Sequence, residues 1–268
     1  MKKSIILIAT FLIAVLSYSQ EIEVINGHAH NDYKNQNPLL DAIENGFTSV
    51  EVDVHLVNDK LYVSHDFPKK LNPALTIEAL YLNPLKKHIL MNHGSVYPNY
   101  SGTFYLMIDF KSSAKPTYNT LKRILSNYLS IISITKNGEE QKGSVKIFIS
   151  GKRPITKILN DEPKLAGIDG KPKHLKKNIP TNVMPVISDK YSHVLSWDGY
   201  GKININEHNK LIRLVQKTHA QNKKLRLWGA PDNENVWRFL LDNGVDLINT
   251  DLLKEFREFV LSYNSSCN

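Results

Sequence analysis

Apolar and polar positions alternate in two periods along this chain, and the two periods take turns. Over residues 49–57 the period is two: Val50, Val52, Val54 and Leu56 fall on one face, and Glu51, Asp53 and His55 on the other. That predicts a strand. A shorter strand over 61–64 follows the Asn58-Asp59 turn. Residues 104–110 form an apolar run broken only by Asp109, as a buried strand would. Further strands are expected over 22–25, 145–149, 184–187, 225–228 and 246–249. Helical spacing marks 39–45, closed by Gly46, then 118–132, 207–221, 235–243 and 252–261. The polar stretch 135–143 and the Lys- and Pro-rich stretch 167–182 read as surface loops.

Strands that alternate with helices build parallel βαβ units, and about eight strands suffice to close a (β/α)8 TIM-type barrel. An open doubly wound sheet is the alternative, but no Gly-rich nucleotide loop follows a strand. The expected organisation is a signal peptide over 1–19 and one barrel domain over 20–268. Lys2 and Lys3, an apolar run over 5–16 and the small residues after it carry the first expectation. The run is short of the roughly 20 apolar residues a membrane span needs. Secretion or export to a periplasm follows. Cys267 is the only cysteine, so neither an internal disulfide nor a cysteine nucleophile is expected.

Of the 268 residues, 41% are hydrophobic and 22% charged, which excludes a disordered chain. The formal net charge of +8 suits anionic ligands: a small or lipid phosphodiester, with peripheral contact to an anionic membrane surface. No basic stripe interleaved with aromatics is present, so no nucleic acid is expected. The sequence leaves the oligomeric state open.

The candidate chemistry lies at strand ends. In a barrel the helices cover the apolar face of a strand, so Glu51 and Asp53 point inward. Two neighbouring buried acids repel unless a cation neutralises them, and carboxylates suit Ca²⁺ or Mg²⁺. Asp109 ends an apolar strand where barrel active sites form, and Lys111 follows on the same face. His28-Ala29-His30-Asn31-Asp32-Tyr33 follows the first strand, and His65-Asp66 ends another. Histidines placed so can move protons near neutral pH. Residues 188–197, Arg153 and Arg226 are expected near the pocket, with no role assigned.

Together these residues resemble the superfamily of glycerophosphodiester phosphodiesterases and phosphatidylinositol-specific phospholipases C. The order is a His motif, Glu51-x-Asp53, His65-Asp66 and Asp109-x-Lys111. Leu227-Trp228 and Gly244-Val245-Asp246-Leu247-Ile248-Asn249-Thr250-Asp251 are similar to that group's final strands, so the likeness spans about residues 24 to 255. It implies a (β/α)8 barrel with Glu51, Asp53 and Asp109 as ligands of a divalent metal, Ca²⁺ or Mg²⁺. It implies His30 and His65 as the acid–base pair, with His28 as the alternative to His30 or as its support. It implies Lys111, Trp228 and Asn31 as substrate contacts. The usual His-Arg-Gly and Glu-Asn-Thr are replaced here, and the chain is closer to a branch marked by His-x-His-Asn-Asp-Tyr. The expected activity is metal-dependent cleavage of a glycerophosphodiester or phospholipid headgroup, by water or by a substrate hydroxyl. The alternatives are a non-catalytic barrel that binds anionic headgroups or surface polymers, and a metal-dependent hydrolase of another ester.

Overall fold

The computed structural model describes residues 22–267, so the leader expected over 1–19 lies outside the described residues. Eight parallel strands close a barrel: β1 Ile25–Ala29, β2 Phe47–Val57, β3 Phe104–Phe110, β4 Val145–Gly151, β5 Gly167–Gly170, β6 Val186–Lys190, β7 Lys224–Trp228 and β8 Leu247–Thr250. Each pairs with its sequence neighbour, and β8 returns to β1. The connections carry α1 Leu40–Glu44, α2 Asn83–Met91, α3 Ala114–Leu125, α4 Ile155–Asn160, α5 Ile205–His219, α6 Glu234–Asp242 and the closing α7 Leu253–Cys267. Between β5 and β6 a 3-10 turn, Pro172–Lys177, takes the helix's place. This is the expected (β/α)8 architecture. Among the described residues no helix is long and apolar enough to cross a membrane.

Alternation explains both layers. Val50, Val52 and Val54 are fully buried outward against the helices. Inside, a small apolar layer of Met107, Phe148, Val186 and Leu247 fills the barrel floor. Two residues further along each of those strands, on the same inward face, stand Asp109, Ser150, Ser188 and Asn249. The barrel is therefore apolar at its base and polar at its C-terminal mouth.

Three readings of the sequence are corrected. Residues 167–182 are not a surface loop: they contain β5, four buried residues in the middle of the sheet. Gly-Ile-Asp-Gly is too short to show a period. Its Gly170 packs where a Cβ would collide with Met184 and Ile187. The strand expected over 61–64 forms as Lys60–Val63, but it is an antiparallel hairpin partner of β2 outside the barrel. The stretch 135–143 is a hairpin of Ile134–Lys136 with Glu139–Gln141. Asn137 and Gly138 at its tip both have positive φ, as a type I′ turn requires.

Helix α3 starts and stops earlier than its apolar spacing suggests. Pro116 sits in its first turn, where a missing N–H is harmless. After Leu125 the chain turns, and Ile132 bridges to Val145.

Candidate functional site

The mouth of the barrel holds a cavity of about 420 Å³. Register builds one wall of it. Glu51 pairs with Met107 and Asp53 with Asp109, so β2 and β3 set three carboxylates side by side. Glu51, Asp53 and Asp109 each place an oxygen within 4.8 Å of the others. Asp53 is fully buried.

The two oxygens of Asp53 differ. Oδ2 lies 2.7 Å from the Tyr33 hydroxyl, 3.0 Å from His65 Nδ1 and 3.0 Å from Lys111 Nζ. Oδ1 is buried and has no hydrogen-bond partner. Leaving such an atom unsatisfied costs about 1–3 kcal/mol, more for a charged group. A hard cation between the three carboxylates would supply the missing partner, so these residues fit a divalent metal.

Their charges are balanced from both sides. Lys111 bridges Asp53 and Asp109 at 3.0 and 3.1 Å. Burial pulls the Lys111 ammonium down, but Asp109 and Asp53 outweigh it and hold the group above its ordinary value. Glu51 pairs with Arg226 from β7 at 2.9 Å. Burial opposes ionisation of Glu51, yet Arg226 and then His28 bring its carboxyl down to about 2. Asp109 goes the other way: burial first, then Glu51 and Asp53, raise it, against Lys111.

The three histidines occupy different places. His28 is fully buried and does not line the cavity. Its Nδ1 lies 2.7 Å from Ser49 Oγ and its Nε2 3.4 Å from Glu51. Burial, then Arg226, lower it to about 3, so it is neutral and braces Glu51. His30 and His65 both line the cavity. Asp251 lies 2.8 Å from His30 Nδ1, and Asn31 Nδ2 lies 3.1 Å from His30 Nε2. With His65 Nδ1 donating to Asp53, the lone pair of Nε2 is free for a ligand. The His65 loop is held by His55, whose Nε2–H donates to the His65 carbonyl at 3.2 Å.

Asn31, Lys111 and Trp228 also line the cavity. The Asn31 carbonyl oxygen lies 2.8 Å from the Tyr33 hydroxyl. Sequence reasoning missed Asp169, Lys171, Ser150 and Gly151, which line the same cavity. Asp169 and Lys171 fall in the stretch read as a loop. Arg153 donates to the Asp169 carbonyl at 2.9 Å, and Ser150 and Ser188 donate to its carboxylate at 2.9 and 2.5 Å.

Fold and site together are consistent with the superfamily of glycerophosphodiester phosphodiesterases and phosphatidylinositol-specific phospholipases C. The model of the AIM6-like phosphodiesterase domain matches residues 16–165, and the chain belongs to that family. Altered inheritance of mitochondria protein 6 of Kluyveromyces lactis is 28% identical, over 91% of this chain and 74% of its own length. The Arthroderma benhamiae homolog is 26% identical, over 84% of this chain and 80% of its own. Among solved structures, a glycerophosphodiester phosphodiesterase from Parabacteroides distasonis shares the fold. Its TM-score is 0.59 at 17% identity, covering 91% of this chain and 99% of that one.

Proposed function

We propose that this protein is a metal-assisted phosphodiesterase that cleaves a glycerophosphodiester or phospholipid-headgroup type of substrate, and that the leader sequence directs it out of the cytoplasm. The observation that carries the reading is the buried, unpartnered Oδ1 of Asp53 between Glu51 and Asp109. Such an atom fits a site that awaits a cation. Glu51, Asp53 and Asp109 would hold Ca²⁺ or Mg²⁺, which polarises phosphoryl oxygens and neutralises developing charge.

The chain's own groups do the rest. Lys111, cationic and at the cavity wall, attracts the phosphate. His65, oriented through Nδ1 by Asp53, presents Nε2 to take a proton from the attacking hydroxyl or water. His30, oriented by Asp251, returns a proton to the leaving oxygen. His28 keeps Glu51 in place without reaching the substrate. A binding protein has no need of two accessible, carboxylate-oriented histidines.

The test is hydrolysis of bis(p-nitrophenyl) phosphate and of glycerophosphodiesters in EDTA, Ca²⁺ or Mg²⁺. Activity is expected only with metal. His65→Ala is expected to lower it by about 10²–10⁴, the usual worth of a general acid or base. Glu51→Ala is expected to abolish the metal response, with circular dichroism unchanged for His65→Ala. Full activity in either folded variant overturns this site.

A further inference from the structure

The cavity is electrically two-sided. In the closed ring of strands, β6 and β7 lie across from β2 and β3, which carry the three acids. The far side is basic. Lys171, after β5, and Trp228, at the end of β7, line the cavity, and Lys190, at the end of β6, lies against the Trp228 ring. Arg153 stands beside them, pinned by Asp169.

Apart from the two imidazoles, Trp228 is the only aromatic side chain lining this cavity among the described residues. An exposed aromatic face is the usual receptor for a cationic headgroup, which binds within about 6 Å of the ring centroid. Here those positions are taken. The Lys171 ammonium lies 5.9 Å from the ring centroid and the Lys190 ammonium 5.7 Å. A quaternary ammonium brought to this ring meets two like charges.

The nearby acids do not relieve that charge. The Asp169 carboxylate accepts from Ser150, Ser188 and Arg153. Asp189 accepts from the Lys190 backbone N–H and faces His193. Among the described residues no carboxylate lies within ion-pair distance of Lys171 or Lys190. Burial, and the proximity of Arg153 and Arg226, hold the Lys171 ammonium below the ordinary lysine value, against the pull of Asp169. An anion bound beside it relieves that strain.

We propose that the arm of the substrate beyond the scissile phosphate carries a second anionic group, which docks against Lys171, Lys190 and Arg153, and that diesters of cationic alcohols such as choline are disfavoured. The cleavage half of this statement rests on the phosphodiesterase reading; the anion subsite does not.

Two measurements separate them. The first is kcat/KM for glycerophosphodiesters whose second alcohol is choline, glycerol, glycerate or glycerol phosphate. The two anionic arms are expected above neutral glycerol, and choline last, with about tenfold from first to last at low salt. The carboxylate and phosphate arms show which anion the subsite prefers. In Lys171→Met the spread is expected to collapse, and Lys171→Arg is expected to keep it. The second is calorimetric binding of glycerol 1,3-bisphosphate in EDTA, expected to weaken about tenfold in Lys171→Met.

A wild-type protein that cleaves the choline diester as well as the anionic ones overturns the inference and leaves the phosphodiesterase reading standing. If no diester is cleaved, that reading fails, and calorimetry decides the subsite alone. Equal bisphosphate affinity in wild type and Lys171→Met then overturns it.

Discussion

Gly151 shows how one residue without a side chain holds a site together. It ends β4 with φ of +64°, a left-handed conformation that other residues adopt at a cost. A Cβ built there would overlap the Asp109 carboxylate and the Phe110 carbonyl. Gly151 is therefore the surface on which Asp109 rests. Gly151→Ala is expected to displace Asp109 from Glu51 and Asp53 and to raise the metal concentration for half-maximal activity about tenfold, a shift of one weakened ligand. A metal titration of activity checks this, and an unchanged midpoint rejects Gly151 as a support. The three carboxylates were legible in the sequence because a strand's period of two puts Glu51 and Asp53 on one face. Gly151 was not, because its constraint comes from the neighbouring strand, and single-sequence periodicity carries no register.

Among the elements, the segment after β1 is held by a buried acid. Asp32 Oδ2 accepts from the Leu39 N–H at 2.6 Å and from the Tyr81 hydroxyl at 2.8 Å. Oδ1 accepts from Asn35 at 3.2 Å. Asp32 thus ties the His28–Tyr33 motif to the start of α1, where Leu39 has a positive φ of 67°, and to the turn before α2. Burial raises its carboxyl from 3.8 to about 6, although the three hydrogen bonds favour the charged form. The sign follows. Between those values the unfolded chain has released the proton and the folded one keeps it. Stability from this group is therefore greatest at low pH and declines as pH rises from about 4 to about 6, by about 3 kcal/mol. Asp32→Asn retains an acceptor for Leu39 and Tyr81 and cannot titrate. Urea unfolding across that window is expected to show the decline in wild type and its absence in the variant. Parallel curves would assign the pH dependence elsewhere. Here too the sequence was partly legible. The acid of His-x-His-Asn-Asp-Tyr was visible, but its partner Tyr81 belongs to a helical segment that the spacing did not reveal. Strand β5 was invisible for a related reason. Four residues with two glycines give neither alternation nor an apolar run, so the expected number of strands was reached only by counting the hairpin strand Lys60–Val63.

At the scale of the whole barrel, the ion pair of Glu51 with Arg226 joins strands β2 and β7 through the interior, across 175 residues of sequence. Arg226 is itself fixed by Asn249 on β8 at 3.0 Å. Sequence patterning placed Arg226 near the pocket but offered nothing to pair it with Glu51, because that contact exists only once the ring closes. The pair makes the site's electrostatics and the barrel's stability one problem. Removing the cation alone strands a buried carboxylate beside Asp53 and Asp109, so Arg226→Met is expected to destabilise the protein in EDTA by about 3–5 kcal/mol. Glu51→Gln relieves that repulsion, so the double variant is expected to lose less than the sum of the two single changes. A metal held by the three carboxylates would supply a second way to neutralise Glu51. A ligand that binds only the folded state stabilises it by mass action, and in Arg226→Met the carboxylate it meets has no other partner charge. Saturating Ca²⁺ or Mg²⁺ is therefore expected to raise the Tm of Arg226→Met by more than that of wild type, and to leave Glu51→Gln nearly unmoved. Equal metal-induced shifts in all three proteins would separate Glu51 from the metal and leave it a structural partner of Arg226.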